Sequence, residues 1–250
     1  MSDTELVIET RNLVKIYKEG NIKAVDGLNL NIRKGEIYAF IGANGSGKTT
    51  AIKMLTGVLD PTSGSINVFG LSIPKNRKII ARYIGIAPQE YSIYNDLTVL
   101  ENIKFFAHLY GMNNHEIKTK TNQLIHILRL EDKIKALVSN LSGGMKRRVS
   151  IACALIHSPR IVFFDEATVG IDPILRKFFW EYFNGLKKEG LTLILTSHVM
   201  DEAERADRIG LIRAGKLIEE GTPQELKEKY RVDTIEDVFL KLSDEMIVDG

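Results

Sequence analysis

Residues 42–49 read Gly42-Ala43-Asn44-Gly45-Ser46-Gly47-Lys48-Thr49, the spacing G-x-x-x-x-G-K-[ST] of a loop that cradles phosphate. Three glycines let the backbone N–H groups curl around phosphate oxygens without Cβ clashes. A helix starting at the end of such a loop adds the partial positive charge of its N-terminus. Lys48 can reach β- and γ-phosphates, and the Thr49 hydroxyl can ligate Mg²⁺. The plainer alternative is a glycine-rich turn. The flanks argue against it: an apolar run precedes the loop and a helical periodicity follows, which is the context this motif requires.

A second cluster is Ile161-Val162-Phe163-Phe164-Asp165-Glu166, four apolar residues followed by two acids. A buried strand ending in carboxylates places them at the C-terminal edge of a sheet, where ligands bind in open α/β folds. Asp165 is placed to support a Mg²⁺ shell. Glu166, one residue on, points elsewhere and could polarise an attacking water. The alternative is a carboxylate that caps the next turn. A third cluster, Leu141-Ser142-Gly143-Gly144-Met145, puts two glycines and a hydroxyl at a helix start, where exposed N–H groups suit an anion. Taken alone it also reads as a simple N-cap turn.

The elements that must position these groups follow from periodicity. Residues 6–9, 12–17 and 28–32 predict β structure, with Leu28, Leu30 and Ile32 on one face and Gly20-Asn21 as a turn. The continuous apolar run 37–41 predicts a strand buried on both faces. Ala51, Met54, Leu55 and Val58 predict a helix after the loop, with Gly57 as its terminator. Residues 95–157 read as mainly helical. Thr98 and Glu101 form a capping box, Gly111 closes that helix, Ile117, Leu124, Ile125 and Leu128 share a face of the next, and Pro159 stops a third. Strand and helix then alternate: strand 161–164, a helix from Asp172-Pro173 to Glu189, strand 191–196, a hairpin 208–220 and two short helices near 223–229 and 234–242. The pattern predicts an α/β core with a helical insertion. Phe178, Phe179, Trp180, Tyr182 and Phe183 read as helix packing, and Lys146-Arg147-Arg148 as a solvated helix start.

Composition excludes several classes. With 250 residues, roughly 70–75% of the unfolded chain's surface can be buried, so no disulfide or structural metal is needed. Lys+Arg number 34 against 32 Asp+Glu, a net charge of +2, which argues against a protein whose main partner is nucleic acid. The lone Cys153 rules out an intramolecular disulfide and a Cys-rich metal site and fits a reducing cytoplasm. No apolar run approaches 18 residues and the acidic opening residues do not read as a signal peptide, so neither a membrane span nor export is expected.

The order of these motifs resembles that of the nucleotide-binding subunit of ABC transporters along nearly the whole chain. Residues 42–49 look like Walker A, and Gln89 in Ala87-Pro88-Gln89 like the Q-loop. Residues 141–145 look like the signature, Phe164-Asp165-Glu166 like Walker B, Val169-Gly170-Ile171-Asp172 like the D-loop, and His198 in Thr196-Ser197-His198 like the switch histidine. Tyr17 falls where the family places an aromatic that stacks on adenine. Met145 stands where the family usually has Gln, and Ala167 where it usually has Pro.

The resemblance implies a P-loop NTPase core with a mixed, mainly parallel sheet, an antiparallel β subdomain and a helical insertion. It implies one ABC ATPase domain: 1–90 and 158–221 as core, about 91–157 as helical subdomain, about 222–250 as C-terminal tail. ATP and Mg²⁺ would be the cofactors, bound in a head-to-tail dimer with a second ATPase subunit and a separate transmembrane permease, at the cytoplasmic face of the membrane. Lys48, the loop amides and Thr50 would hold the phosphates. Thr49 and Gln89 would bind Mg²⁺, with Asp165 supporting its water shell. Glu166 would be the general base. His198 would contact the γ-phosphate and the Asp172 loop. Ser142, Gly143 and Gly144 would reach across to the partner's nucleotide.

The tract 200–204 and the tail 236–240 look like those of ATPases paired with export permeases. The rivals are a soluble ABC ATPase in DNA repair, translation or cofactor assembly, and a nucleotide-binding regulator without turnover. The single Walker A, the single Cys and Glu166 weigh against them. Taken singly, Tyr17 also reads as a core aromatic, and Gln89 and His198 as polar loop residues. Tyr91, Ile93 and Tyr94 between Gln89 and Leu97 form either a socket for a permease helix or packing against the helix 99–110.

Overall fold

The structure is a computed structural model that describes residues 5–166 and 173–248. The chain opens with an antiparallel hairpin, β1 (Leu6–Tyr17) and β2 (Ile22–Arg33), turned through Gly20-Asn21. β1 is one strand interrupted by bulges where the sequence suggests two, and Leu28, Leu30 and Ile32 share the buried face of β2 as their alternation predicts. β3 (Ile37–Ile41) follows. β4 (Ser63–Val68) and β5 (Leu71–Ile73) then add to β1, giving a sheet ordered β2-β1-β4-β5. These two strands and β6 (Ile84–Ala87) are additions to the sequence reading. Each is short, and β4 buries only Ile66 and Val68.

β7 (Ile161–Asp165), β8 (Thr192–Ser197), β9 (Arg208–Arg213) and β10 (Lys216–Gly221) complete a second sheet, ordered β10-β9-β3-β8-β7-β6. Its strands run parallel from β9 to β6, and only β10 is antiparallel. β3, β7 and β8 are buried at every position, which is why β3, residues 161–164 of β7 and residues 193–195 of β8 read as apolar runs. Alternate residues feed two cores. Ile37, Ala39, Ile41, Val162, Phe164, Leu193 and Leu195 face a helical layer, while Tyr38, Phe40, Ile161, Phe163 and Ile194 face the antiparallel sheet.

The helices are α1 (Lys48–Leu55), α2 (Arg77–Ile80), α3 (Val99–Leu109), α4 (Asn114–Ile127), α5 (Gly143–Leu155), α6 (Pro173–Lys188), α7 (Met200–Ala203), α8 (Pro223–Tyr230) and α9 (Ile235–Val248). α1 ends before Val58, which is 66% exposed. The 3.6-residue pattern overran the helix, and Gly57 at φ +74° had already ended it. The capping box at Thr98 and Glu101 opens α3 as expected, and a second, formed by Asn113 and Glu116, opens α4. Phe179, Trp180 and Phe183 of α6 are buried, with Phe178 and Tyr182 packed beside them. The Asp172 N-cap lies outside the described residues.

α5 matters most for function, because the glycine pair opens it. Three contacts set its position. Its apolar face packs into the helical core. His157, just beyond it, stacks on Tyr110 with ring centroids 3.5 Å apart and reaches the Ile84 carbonyl at 3.0 Å. Gly85 lets β6 approach so closely that a Cβ there would lie 2.2 Å from the Ala154 carbonyl oxygen. Gly85→Ala is therefore expected to push α5 off the sheet and cost about 1–3 kcal/mol, seen as a lower urea midpoint. An unchanged midpoint would mean that α5 does not depend on that contact.

Candidate functional site

Parallel register decides which loops meet. Ile41 pairs with Ser197, Asp165 with Thr196, and Ala87 with Phe164. The C-terminal ends of β3, β8, β7 and β6 therefore lie side by side. From them emerge the glycine-rich loop, Ser197-His198, Asp165-Glu166 and Pro88-Gln89. An open pocket of about 360 Å³ lies there, lined among others by Gly45, Lys48, Thr49, Thr50, Gln89 and Glu166.

The loop is folded around its own lysine. Lys48 Nζ donates to the Gly42 and Ala43 carbonyls at 2.7 and 3.0 Å, and burial lowers its pKa, opposed by Glu166 and Asp165. Gly47 caps α1 at φ +109°, and a Cβ there would stand 2.3 Å from the Ala24 carbonyl oxygen, so no other residue fits. The turn between β9 and β10 braces the loop through Gly215 N–H to the Ser46 carbonyl at 2.9 Å. The Ser46 hydroxyl is buried without a hydrogen-bond partner among the described residues, and Asn44 also lines the pocket. A loop with glycines, a buried ammonium and an orphan hydroxyl fits an anionic ligand.

The two acids have separate surroundings. Asp165 Oδ1 accepts from Thr49 Oγ1 at 3.3 Å and from Thr196 Oγ1 at 2.5 Å. Glu166 leaves the strand in a left-handed conformation, φ +51°, which turns its side chain away from that of Asp165. Its N–H is held by Thr196 Oγ1 at 3.0 Å. Its carboxylate accepts from the Gln89 amide nitrogen at 2.9 Å, and His198 Nδ1 lies 3.2 Å from the other oxygen. Thr49 hydroxyl, Asp165 carboxylate and the remaining amide oxygen of Gln89 form a set of hard oxygen donors, and such a set fits Mg²⁺.

Tyr17 is 37% exposed, so it is not a core aromatic. Its hydroxyl is 3.5 Å from Thr50 Oγ1 at the pocket's side. Ser142, Gly143 and Gly144 do not line this pocket. Ser142 accepts from Met145 N–H as the N-cap of α5, Ser142 and Gly143 are exposed, and Met145 packs against the helical core. Ala167 and residues 169–172 lie outside the described residues. Ile93 packs into the helical core, and the ring of Tyr94 sits 4.8 Å from that of Phe105, as the packing alternative expects. Tyr91 and Tyr94 nevertheless remain 40% and 49% exposed.

The reading of residues 146–148 as solvated is corrected. Arg147 is buried and donates to the Pro88, Gln89 and Glu166 carbonyls, while Arg148 donates to the Leu128 carbonyl and lies over Phe178. The missed signal was spacing: Arg147, Ile151 and Ala154 fall at i, i+4, i+7, the buried face of α5. Thr196 was also missed as the link between the two acids, since nothing local in a buried strand distinguishes a threonine that bonds across it.

The sequence matches the family described as ABC transporter over residues 25–169. It is 38% identical over 243 residues to the ABC transporter ATP-binding protein YbhF of Escherichia coli, covering 95% of this chain and 42% of that protein. It is 39% identical over 233 residues to the Nod factor export ATP-binding protein I of Rhizobium meliloti, covering 92% and 69%. Among solved structures, a dimeric ATP-binding cassette bound to ADP and phosphate after hydrolysis superposes with a TM-score of 0.80 at 27% identity, covering 86% of this chain and 98% of the other. The chain spans less than half the length of YbhF.

An exposed ring beside the loop suits base stacking, which is worth roughly 1–3 kcal/mol. Tyr17→Ala is expected to weaken ATP binding about 5- to 150-fold by calorimetry, with Tyr17→Phe nearly unchanged. Equal affinities for the Ala variant and the wild type would remove Tyr17 from the site.

Proposed function

This chain belongs to the ABC transporter family, and from that membership we propose that it is the ATP-hydrolysing motor subunit of a membrane exporter. It acts as a head-to-tail dimer beside a separate permease, at the cytoplasmic face of the membrane. The observation that carries the reading is the Glu166 carboxylate, 7% exposed, held between Gln89 and His198 at the edge of the phosphate pocket. A module that only bound nucleotide would need no base there.

The roles are those that family membership implies, and the placement of the residues supports them. The loop amides from Gly42 to Gly47, with Lys48 and Thr50, hold the phosphates. Mg²⁺, held by Thr49 and Gln89 with Asp165 behind its water shell, would offset the phosphate charge. Glu166 takes the proton of the attacking water, and His198 orients that carboxylate and meets the γ-phosphate. Ser142 and Gly143, exposed at the start of α5 away from this chain's own pocket, and the half-buried Gly144 beside them would face the nucleotide of a second subunit. Glu166→Gln keeps size and hydrogen bonding but removes basicity. Hydrolysis is expected to fall about 10²- to 10⁴-fold while ATP binding survives and an ATP-bound dimer accumulates on gel filtration. An unchanged rate would remove Glu166 as the base.

The permease is supported by a second surface. A cleft of about 380 Å³ between α1, β6, α3 and α5 is lined mainly by apolar groups, including Ile52, Val58, Ile86, Phe106 and Tyr110. Exposed Tyr91, Tyr94 and Leu109 add to the apolar surface of this part of the chain. Among the described residues no helix is long and apolar enough to cross a membrane. The exporter direction is supported by the Nod factor export relative. The double variant Tyr91→Ala/Tyr94→Ala is expected to stay folded with near-normal ATP binding yet fail to co-purify with the permease. Lost thermal stability with permease binding retained would place both tyrosines in packing alone.

A further inference from the structure

Arg147 is a charged side chain only 4% exposed, on the first turns of α5, and neither the phosphate loop nor the two acids explain it. Its guanidinium spans three backbone carbonyls on two separate segments. Nη1 donates to Pro88 O at 2.7 Å. Nη2 donates to Gln89 O at 3.2 Å and Glu166 O at 3.3 Å. Its other face lies 5.2 Å from the ring of Tyr91. We propose that Arg147 is a positioning residue for ATP hydrolysis, fixing the backbone of Glu166 and Gln89 relative to the start of α5. The proposal rests on Glu166 being the base.

The case begins with the backbone of Glu166. A non-glycine residue at φ +51° is held there only where its surroundings over-determine it. Thr196 grips its N–H and Arg147 grips its carbonyl, so the peptide is pinned from both sides. The same guanidinium holds the carbonyl of Gln89, whose side chain meets the Glu166 carboxylate. Arg147 therefore sets both the carboxylate's backbone and that of the amide it leans on. A planar fork with five donors can serve three acceptors on two segments, whereas an ammonium point charge cannot match that geometry. Burial lowers the guanidinium's pKa, while Tyr91, Asp165 and Glu166 favour its charged form.

The contact has a direction. Gly143 and Gly144 stand four and three residues before Arg147, one helical turn away on the same face. A Cβ on Gly143 would come within 3.3 Å of the Tyr91 hydroxyl. A shift of the first turn of α5, the part placed to meet a partner's nucleotide, moves the guanidinium and with it the base. Closure at one site would thereby set the geometry of hydrolysis in the other.

A buried arginine with a purely structural role would cost binding and hydrolysis alike, whatever stands at position 166. Arg147→Met and Arg147→Lys are made alone and in the Glu166→Gln background. ATP affinity and single-turnover hydrolysis are measured for each. Alone, Arg147→Met is expected to keep ATP affinity within about threefold and to lower the hydrolysis rate about 10- to 100-fold, with Arg147→Lys between it and the wild type. In the Glu166→Gln background either change should add less than about twofold, because there is no base left to position. Arg147→Lys carries the same cycle where Arg147→Met does not fold. Equal losses in both backgrounds, or a folded Arg147→Lys with wild-type hydrolysis, would overturn the proposal. If Glu166→Gln alone left hydrolysis unchanged, the base assignment would fail first, and that result is distinct.

Discussion

The in-register parallel pairing of β3, β8, β7 and β6 is the constraint on which the rest depends. Four loops far apart in sequence become neighbours because four strands end level. A shift of one residue in any of them would invert which side chains face which core and would carry its loop some 3.3 Å along the strand. The two cores guard against that shift. Ile37, Ala39 and Ile41 fit one side only, and Tyr38 and Phe40 the other. Packing that looks purely structural thus fixes the distance from Thr49 to Asp165 and from Gln89 to Glu166.

At that edge, charged side chains are held in buried positions. Lys48, Asp165, Glu166 and Arg147 are all buried, and each has a partner that offsets part of its desolvation. The partners are mostly neutral: backbone carbonyls for the cations, and hydroxyls and an amide for the acids. Neutral partners hold a charged group in place without cancelling its charge. That leaves the charge of Lys48 available to the phosphates of the proposed nucleotide and the carboxylate of Glu166 available for the role proposed for it. A direct Lys48–Glu166 ion pair would have neutralised both.

Much of this was legible because it is local. A loop that needs glycines at set spacing, a strand buried on both faces and a pair of acids at a strand end all leave marks in consecutive residues. Residues 42–49 and 161–166 could be placed for that reason, as could the cap at Thr98. What stayed hidden is what the chain decides at a distance. β4 is a strand because β1 offers an edge, and β5 because β4 then offers the next, not because Ser63–Val68 carries a strong pattern. Arg147 lies in a run of three basic residues; its phase with Ile151 and Ala154 marks the buried face of α5, but the partners that make it a clamp, Pro88 and Glu166, come from distant segments. Val58 shows the converse, an apolar residue in phase with a helix that a glycine had already ended.

The position of β3 in its sheet has a consequence for how the protein is made. β3 carries the phosphate loop, yet it pairs with no strand near it in sequence; both neighbours, β8 and β9, lie roughly 150 residues or more further along the chain. The brace on the loop comes later still, from Gly215. During synthesis from the N-terminus, the glycine-rich segment emerges and then waits, with β3 unpaired, while the roughly 150 residues up to β8 are translated. The closure of so long a loop makes the central strand slow to settle. A nascent chain therefore has no finished cradle around the glycine-rich loop until the segment through Gly215 has emerged.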